Sequence, residues 1–352
     1  MFVVSGTIVA RILYGVQGDA GGHVSRSLTI ARQLHGHEVV FVGGGRVAQA
    51  RRHGYDVVDV PMLANVYTNN RLDLPATLMA GARALRDRAR IFDRLTSLIR
   101  DFDPDLILTD YEPFLPQAAR LAGRPSISIN RQHFLTHCDY TVPSGAQLAR
   151  LLAMQALRRF HMSASQYFIV SFTKATAKEP KTAEVFPSVI RPEVAVRSGS
   201  DSGAVLAYLP LASPDWMRRT FAGLDRKVIV YGQNRDGDVG NLSFRPRTSD
   251  GFADDLAQSA FVVSHAGSNL IAESLFLKKP VLTFPTARIF EQYLNAHLLA
   301  GAGYGKIGSQ RNSAASVAAF DRELHLYRSR LEQYRPWRDT TVVDRLSGLL
   351  AR

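Results

Sequence analysis

The sequence predicts an α/β protein of two domains, each with a parallel β-sheet and crossover helices. The chain has 352 residues, enough for two cores, because single domains usually run to about 100–200 residues. Strand-like apolar runs alternate with helical patterns in both halves, as parallel sheets require. A segment rich in Pro, Ser and Gly separates the halves at residues 185–203. We expect domains at 1–190 and 204–335, with a helix at 336–352 that packs back toward the first domain.

The elements of each half follow from hydrophobic periodicity. In the first half we expect a helix at 25–34 and strands at 12–15, 38–42, 106–109 and 126–130. In the second half we expect helices at 216–222 and 268–277 and strands at 205–209, 227–231, 260–264 and 280–284. The tail from 320 to 352 has a helical pattern that Pro336 interrupts, since proline cannot continue a helix.

Composition limits the protein's class and surroundings. Hydrophobic residues make up 46% and charged residues 21% of the chain, as in ordinary soluble proteins. The single cysteine, Cys138, cannot form an intrachain disulfide, which fits a cytoplasmic protein. The apolar start at 1–10 lacks a basic n-region and is a poor signal peptide. The chain contains no apolar run of the roughly 20 residues that span a membrane.

The net charge of +12 favours anionic partners such as nucleotide diphosphates or acidic lipids. Nucleic acid is disfavoured, because the arginines are dispersed and no nucleic-acid-binding motif accompanies them. A helical pattern at 82–100 has one apolar and one basic face; it fits a core-facing stripe or, alternatively, a peripheral contact with an anionic membrane. The apolar residues are Leu85, Ala89, Phe92, Leu95 and Ile99, and the basic ones are Arg83, Arg86, Arg90 and Arg94.

A glycine-rich turn follows the first predicted strand and ends in Gly21, Gly22 and His23. Glycines let a backbone approach a ligand closely, and the N–H groups of a helix's first turn attract anions. The spacing matches neither a P-loop nor the dinucleotide fingerprint. We expect Gly21 and Gly22 to form a wall of a binding cleft; a tight turn needed only for packing is the alternative.

His23 is the candidate general base, because imidazole titrates near neutral pH and a carboxylate partner can fix its tautomer. Asp110 follows a predicted strand, at the sheet edge where parallel sheets bind ligands. The alternative for Asp110 is a helix cap or turn residue before Pro113. Glu112 is the second candidate carboxylate.

A strand, turn and helix at 261–277 suggest a diphosphate site in the second half. The strand ends in His265 and Gly267, and a helix begins at Ser268 or Asn269. A diphosphate can bind that helix N-terminus and the two polar side chains. Glu273, one turn further, is a candidate for the ribose hydroxyls. A capped strand end without a ligand is the alternative interpretation of His265.

Residues 261–285 resemble the donor-binding region of UDP-sugar transferases of secondary metabolism and of the peptidoglycan lipid-intermediate N-acetylglucosaminyltransferase. The resemblance continues in Glu291, Gln292, Asn295 and Ala296, which match the acidic-Gln-x-x-Asn-Ala signature. It implies the GT-B fold, with two Rossmann-like domains facing across a cleft. It also implies that Glu291 and Gln292 hold donor sugar hydroxyls, that Gly21, Gly22 and His23 form the acceptor loop, and that His23 is the catalytic base. Glu112 is accordingly assigned to acceptor binding.

The chain departs from the family where the nucleotide base is recognised. The Trp and Gln of the plant-type signature are absent, and residues 243–246 stand in their place, which makes Phe244 the candidate base contact. Uridine is favoured, while thymidine and guanosine stay open. The acceptor is not identified, because the loops expected to shape its pocket, at 63–74 and 133–147, are variable in such enzymes.

Together these features predict an inverting hexosyltransferase that takes a nucleotide-sugar, in the first place a UDP-sugar, as co-substrate. We expect no metal ion and no further cofactor, because helix dipole and positive charge can stabilise the leaving diphosphate. A UDP-sugar 2-epimerase of the same fold and a non-catalytic partner protein are the alternatives. The protein is expected in the cytoplasm, with possible peripheral contact at the inner face of the membrane.

Overall fold

The computed structural model describes residues 9–19, 21–62, 67–68, 71–233, 235–246, 248–287 and 289–351. These residues form two seven-stranded β-sheets and one two-stranded ribbon. Residues 1–8, together with 63–66 and 69–70 of the loop expected at 63–74, lie outside the described part. Each half of the chain contributes one large sheet, as the restart of the strand and helix pattern predicts.

The first sheet is entirely parallel and has the strand order β3-β2-β1-β6-β7-β8-β9. Its strands are β1 Arg11–Val16, β2 Glu38–Val42, β3 Asp56–Val58, β6 Leu106–Asp110, β7 Ile127–Asn130, β8 Gln166–Ser171 and β9 Ala183–Pro187, and the separate ribbon is β4 Tyr67–Thr68 with β5 Arg71–Leu72. The order reverses between β1 and β6. Such a switch point leaves a crevice at the carboxyl ends of the two strands, where Val16 and Asp110 pair in register.

Helices cover both faces of this sheet. They are α1 Gly21–Gln33, α2 Leu74–Arg86, α3 Arg88–Phe102, α4 Phe114–Leu121, α5 Phe134–His137 and α6 Gln147–Phe160, with a 3₁₀ segment at Gly45–His53. Helix α1 packs on one face with Val24, Leu28 and Ile30 in the core, and α3 and α4 pack on the other. The helix expected at 25–34 therefore begins four residues earlier, so that Gly21 and Gly22 are its first residues.

The helical pattern at 82–100 is divided between α2 and α3, which meet at Asp87. Leu95 and Ile99 are buried, Ile91 joins them, and Arg90 and Arg94 are exposed. The apolar stripe of α3 thus faces the core, as the first of its two interpretations requires. Ala89, assigned to the apolar face, is exposed instead.

The second sheet has the order β12-β13-β11-β10-β14-β15-β16, parallel except for the β12–β13 pair. Its strands are β10 Val205–Tyr208, β11 Val228–Tyr231, β12 Gly237–Val239, β13 Leu242–Phe244, β14 Phe261–Ser264, β15 Val281–Thr283 and β16 Gly305–Ile307. The order reverses between β10 and β14, which again opens a crevice at their carboxyl ends. Each domain therefore carries one switch-point crevice.

The remaining helices connect and surround the second sheet. They are α7 Pro192–Ala195, α8 Pro214–Phe221, α9 Ser249–Gln258, α10 Ser268–Phe276, α11 Phe290–Gly301, α12 Ser313–Arg322, α13 Leu324–Glu332 and α14 Val342–Leu350. The chain leaves helical geometry at 333–341, around Pro336. Helix α14 returns to the first domain, where Val342, Val343 and Leu346 enter its core. Across the described residues no helix is long and apolar enough to cross a membrane.

Candidate active site

The first wall of the site is the turn between β1 and α1. A Cβ atom on Gly18 would lie 1.9 Å from the Gly44 carbonyl oxygen, so a side chain there would clash with the neighbouring loop. A Cβ atom on Gly22 would meet only Asn269 Nδ2, at an ordinary contact distance of 3.7 Å. The turn's glycine requirement therefore comes from packing at Gly18, whereas Gly22 contributes a carbonyl that faces the second domain.

His23, in the first turn of α1, contacts Asp110 at the end of β6. The distance from His23 Nδ1 to Asp110 Oδ1 is 2.7 Å, although 87 residues separate the two. Both residues are buried. Because a carboxylate accepts, Nδ1 carries the proton and Nε2 presents a lone pair, which is the tautomer that a general base needs.

Arg26 adds a buried ion pair to the same carboxylate. Its Nε donates to Asp110 Oδ2 at 2.8 Å and its Nη2 to Oδ1 at 2.6 Å. Burial alone would raise the pKa of Asp110, but the charge of Arg26 and the hydrogen bonds from Arg26 and His23 outweigh it and hold the pKa below its ordinary value. Asp110 is therefore ionised at neutral pH and fixes the His23 ring.

Glu112 has the helix-capping role that was the alternative for Asp110. Its two carboxylate oxygens accept from the N–H groups of Phe114 and Leu115, at 2.9 and 2.7 Å, at the start of α4. The side chain is buried, and burial raises its pKa to about 7 against those two hydrogen bonds. With both oxygens held by the backbone, Glu112 is a structural cap, and its assignment to acceptor binding is not supported.

An aromatic stack lies beside the base. The His23 and Tyr111 rings are 5.5 Å apart with an interplanar angle of 8°, and His161 stacks on Tyr111 at 3.9 Å. Burial lowers the pKa of His161 to about 3, so this ring is neutral. Tyr111 has a left-handed backbone with φ of 60°, a conformation that costs a non-glycine residue free energy and is common at functional sites.

The second wall of the site is the turn between β14 and α10. His265 Nδ1 donates to the Phe284 carbonyl at 2.8 Å, and burial lowers its pKa to about 4. Within the described part of the chain, its Nε2 is buried without a hydrogen-bond partner. Ala266 next to it has a φ of 63°. A strained turn with an unsatisfied ring nitrogen is typical of a site that a ligand completes.

The N-terminus of α10 lies directly after this turn. Gly267 is its N-cap and supplies no side-chain hydrogen bond. The N–H groups of the first turn, at Ser268 and Asn269, are therefore available to an anion. Asn269 also reaches the first domain, donating from Nδ2 to the Gly22 carbonyl at 2.9 Å and accepting from Arg26 Nη1 at 3.1 Å.

Helix α11 brings Glu291 and Gln292 to the cleft. Gln132, which follows β7 in the first domain, donates to Glu291 Oε2 at 2.9 Å, and its amide nitrogen is 3.4 Å from His23 Nε2. Gln132 therefore connects the proposed base with the proposed sugar contact. Gln292 Oε1 accepts from the Thr286 N–H at 2.7 Å, which fixes its side chain beside the same cleft.

Asn295, four residues after Glu291, holds the two walls together. Its Nδ2 donates to the Ala266 carbonyl at 3.1 Å, and its Oδ1 accepts from Arg131 Nε at 3.2 Å. Asn295 and Arg131 are fully buried. This amide thus supports the strained turn of the second domain on an arginine of the first.

Two residues that the sequence analysis assigned to donor binding, Glu273 and Phe244, contact other groups in the structure. Both carboxylate oxygens of Glu273 accept from the Arg191 guanidinium, at 2.6 and 2.8 Å, in a buried pair. Glu273 therefore secures the interdomain segment rather than facing a ribose. The Phe244 ring is packed in the core of the second domain, beneath the Arg235 guanidinium at 4.7 Å, so Arg235 rather than Phe244 faces outward at this strand end.

The residues that sequence reasoning missed are Arg26, Arg131 and Gln132. Arg26 lies three residues after His23 on one helix, a spacing that places both on the same face, and this signal could have found it. Gln132 and Arg131 follow a strand end, but their partners in the second domain, Glu291 and Asn295, lie more than 150 residues away. Among the described residues, no cluster of three or more His, Cys, Asp or Glu side chains could hold a metal ion; metal independence remains a prediction.

The model of a protein family described as glycosyl transferase family 1 matches residues 10–325. The chain belongs to glycosyl transferase family 1. Two relatives from Methanosarcina acetivorans, each described as an uncharacterized glycosyltransferase, are 25% and 22% identical. The alignments cover 89% and 97% of this chain and 87% and 95% of the relatives. The predicted enzyme class is thus confirmed at the level of a glycosyltransferase.

Solved glycosyltransferase structures share the fold over nearly the whole chain. Phytolacca americana UGT2, complexed with UDP-2-fluoro-glucose and pterostilbene, has a TM-score of 0.67 at 13% identity, covering 98% of this chain and all of the other. VinC in complex with dTDP has a TM-score of 0.61 at 17% identity, covering 97% and 98%. The kitacinnamycin glycosyltransferase gives 0.61 at 19% identity, covering 98% and 99%. The predicted GT-B fold is confirmed.

Proposed function

We propose that this family 1 glycosyltransferase moves a hexose-type sugar from a nucleotide-diphosphate donor to a hydroxyl acceptor, with inversion at the anomeric carbon. The observation that carries the proposal is the position of two half-sites. A buried histidine–aspartate pair in the first domain faces a free helix N-terminus in the second, and Asn269 links the two by hydrogen bonds. Base and leaving-group site are therefore on opposite sides of one cleft.

The donor diphosphate binds at α10 in this proposal. Its oxygens accept from the first-turn N–H groups at Ser268 and Asn269, and His265 Nε2 lies in the preceding turn. Because His265 Nδ1 already donates to Phe284, Nε2 donates to a phosphate only after taking up a proton, which a bound anion favours. UDP is the first candidate, and dTDP the second, since solved relatives carry UDP-2-fluoro-glucose and dTDP.

The sugar then lies between Glu291 and His23. The Glu291 carboxylate and the Gln292 amide form hydrogen bonds with the sugar hydroxyls in this proposal. In the structure the Gln132 side chain lies between Glu291 and His23 Nε2. Binding of donor and acceptor replaces these two contacts, and the Gln132 amide becomes available to the sugar or the acceptor oxygen.

The chemical step is a direct displacement. His23 Nε2 takes the proton of the acceptor hydroxyl, the acceptor oxygen forms a bond to the anomeric carbon, and the bond from that carbon to the diphosphate oxygen breaks. The nucleoside diphosphate leaves with the electron pair, stabilised by the α10 N-terminus and His265. Attack from the face opposite the leaving group inverts the anomeric configuration. Asp110 stabilises the imidazolium that forms.

A two-stage experiment tests the proposal. Thermal shift against a panel of nucleotide-sugars identifies the donor, and mass spectrometry then follows its transfer to a mixture of hydroxyl acceptors. His23→Ala should lower the transfer rate by about 10²–10⁴-fold, the usual contribution of a general base, and keep the thermal shift. An unimpaired His23→Ala protein would overturn the assignment of the base.

The same assay separates the alternative functions. A donor incubated alone should remain unchanged or be hydrolysed slowly; conversion to an isomeric nucleotide-sugar would identify a 2-epimerase. Donor binding without turnover across the whole acceptor mixture would identify a non-catalytic binding protein.

A further inference from the structure

Helix α6 turns an apolar face toward solvent. Leu148, Leu151 and Leu152 are 69%, 54% and 43% exposed. The helix has only one buried residue, Leu157, which packs in the same cluster as Phe134 and Phe290. Large apolar residues exposed together on one helix face mark interaction sites far more often than isolated ones do.

The position of each residue around the helix explains this exposure. Leu148, Leu151 and Leu152 are spaced i, i+3 and i+4 and share one face. Leu157 follows Leu148 by nine residues, half a turn out of phase, and lies on the opposite face. That opposite face packs on the protein through Leu157 and the half-buried Ala153. The leucine face is therefore directed away from the domain.

The same outward face carries two arginines at the C-terminal end of α6. Arg158 and Arg159 follow Leu151 and Leu152 by seven residues, two helical turns, so they lie on the leucine face, and both are exposed. The helix contains no Asp or Glu. A short apolar patch continued by arginines is the composition of helices that bind anionic membrane surfaces.

A second group of arginines lies at the same end of α6. Gln117 donates to the Phe160 carbonyl at the end of α6 and accepts from Arg88 Nη2 at 3.2 Å. Arg88 begins α3, and Arg86, Arg88 and Arg90 are all exposed. The positive charge of α6 is thus extended by the α2–α3 junction.

Helix α6 also ends at the candidate active site. His161 follows its last residue and stacks on Tyr111, which stacks on His23. The C-terminal end of α6 is therefore connected to the proposed base through two ring contacts. An acceptor anchored in a membrane at α6 would approach His23 past this end of the helix.

We propose that the outer face of α6 docks on an anionic lipid membrane and that the acceptor is a hydroxyl compound borne by that membrane. The evidence for membrane docking is the surface of α6 alone. The inference of a membrane-borne acceptor also rests on the proposed function. Charge favours a membrane over a second copy of the chain, because each copy brings a net charge of +12 and like charges repel across an interface.

Vesicle co-sedimentation of the full chain tests the docking. The wild type should bind phosphatidylcholine vesicles that contain phosphatidylglycerol, should bind pure phosphatidylcholine poorly, and should be released by high salt. Arg158→Gln/Arg159→Gln should weaken binding about 25-fold, since each arginine near an anionic surface contributes roughly 1 kcal/mol. The triple variant Leu148→Ser/Leu151→Ser/Leu152→Ser should weaken it at least as much.

Matched controls lie in the second domain. Arg218→Gln/Arg219→Gln removes an arginine pair from the last turn of α8, and Leu326→Ser removes an exposed leucine of α13. Both should bind vesicles like the wild type. Equal loss in the controls and the α6 variants, absence of binding to anionic vesicles, or concentration-dependent self-association that the α6 variants abolish would overturn the docking proposal.

Nucleotide binding separates this inference from the proposed function. The α6 variants should retain the thermal shift with UDP-sugar, which also shows that they are folded. Vesicle binding without any nucleotide-sugar binding would leave the docking surface and remove the transferase proposal. Sugar transfer to soluble acceptors at full rate, with no stimulation by acceptor lipid in vesicles, would remove the membrane-borne acceptor.

Discussion

Arg26 Nη1 donates to the side-chain oxygen of Asn269 at 3.1 Å, across the cleft between the two domains. The other two nitrogens of the same guanidinium hold both oxygens of Asp110. One buried cation therefore contacts both the carboxylate that orients His23 and a first-turn residue of α10, the helix proposed to bind the donor. The position of the base and the approach of the donor helix are mechanically connected through this side chain.

Arg26→Gln should destabilise the protein and slow transfer. Removing the cation leaves Asp110 buried without its ion-pair partner, which costs about 3–5 kcal/mol of unfolding free energy. Arg26→Lys keeps the charge but cannot make the two parallel hydrogen bonds, so it should lose less stability than Arg26→Gln. Chemical denaturation and transfer rates measure both effects. Arg32→Gln, at the exposed end of α1, is the control, and an Arg26→Gln protein as stable as this control would contradict the account.

Glu273 should contribute to folding and not to donor binding. Arg191→Gln should lower the unfolding free energy by about 3–5 kcal/mol, because it leaves the Glu273 charge buried without its ion-pair partner. Glu273→Gln should lower it less, since Arg191 keeps an ion pair with Glu193 at 3.5 Å. The double variant should lose much less than the sum, since neither charge remains. Urea denaturation of the four proteins measures the coupling.

The affinity of the same four proteins for UDP decides between the two roles of Glu273. Affinities equal within a factor of about two, which is near 0.4 kcal/mol, are expected if Glu273 only secures the segment around Arg191. A large loss of UDP affinity in Glu273→Gln, but not in Arg191→Gln, would restore the ribose contact that the sequence suggested.

Stability should depend on pH through Glu112. Burial raises the pKa of Glu112 from an ordinary 4.5 to about 7, so between those values the folded protein holds a proton that the unfolded chain releases. The wild type should therefore lose stability as pH rises through this window, by roughly 3 kcal/mol in total. Glu112→Gln stays neutral and is the reference. The measurement is the free energy of unfolding of the wild type minus that of Glu112→Gln. If this difference does not change from pH 5 to pH 8, the two backbone N–H groups keep the carboxylate ionised and the prediction is wrong.

The sequence predicts the elements well where local pattern decides them. Strand β2, for example, has its predicted bounds, because Glu38–Val42 is a short apolar run bounded by polar and glycine residues. The meeting of His23 with Asp110 was also expected, since parallel strands β1 and β6 end at one sheet edge. The catalytic roles of these two residues remain predictions.

Side-chain partners that depend on tertiary packing could not be predicted. Glu273 is paired with Arg191, 82 residues earlier, and no periodicity or spacing relates the two. The sequence also could not predict that the leucines on α6 point toward solvent. In sequence, an amphipathic helix indicates two faces but not which of them the protein covers.

Isothermal titration of UDP and dTDP tests the central claim most directly, namely that the second domain holds the diphosphate opposite a base on the first. His265→Ala should weaken nucleotide binding at least about tenfold, as expected when a hydrogen bond to a charged group is lost. His23→Ala should bind within about twofold of the wild type, on the same scale. If His265→Ala binds the nucleotide like the wild type and His23→Ala does not bind it, the nucleotide lies on the first domain beside His23, which contradicts the account.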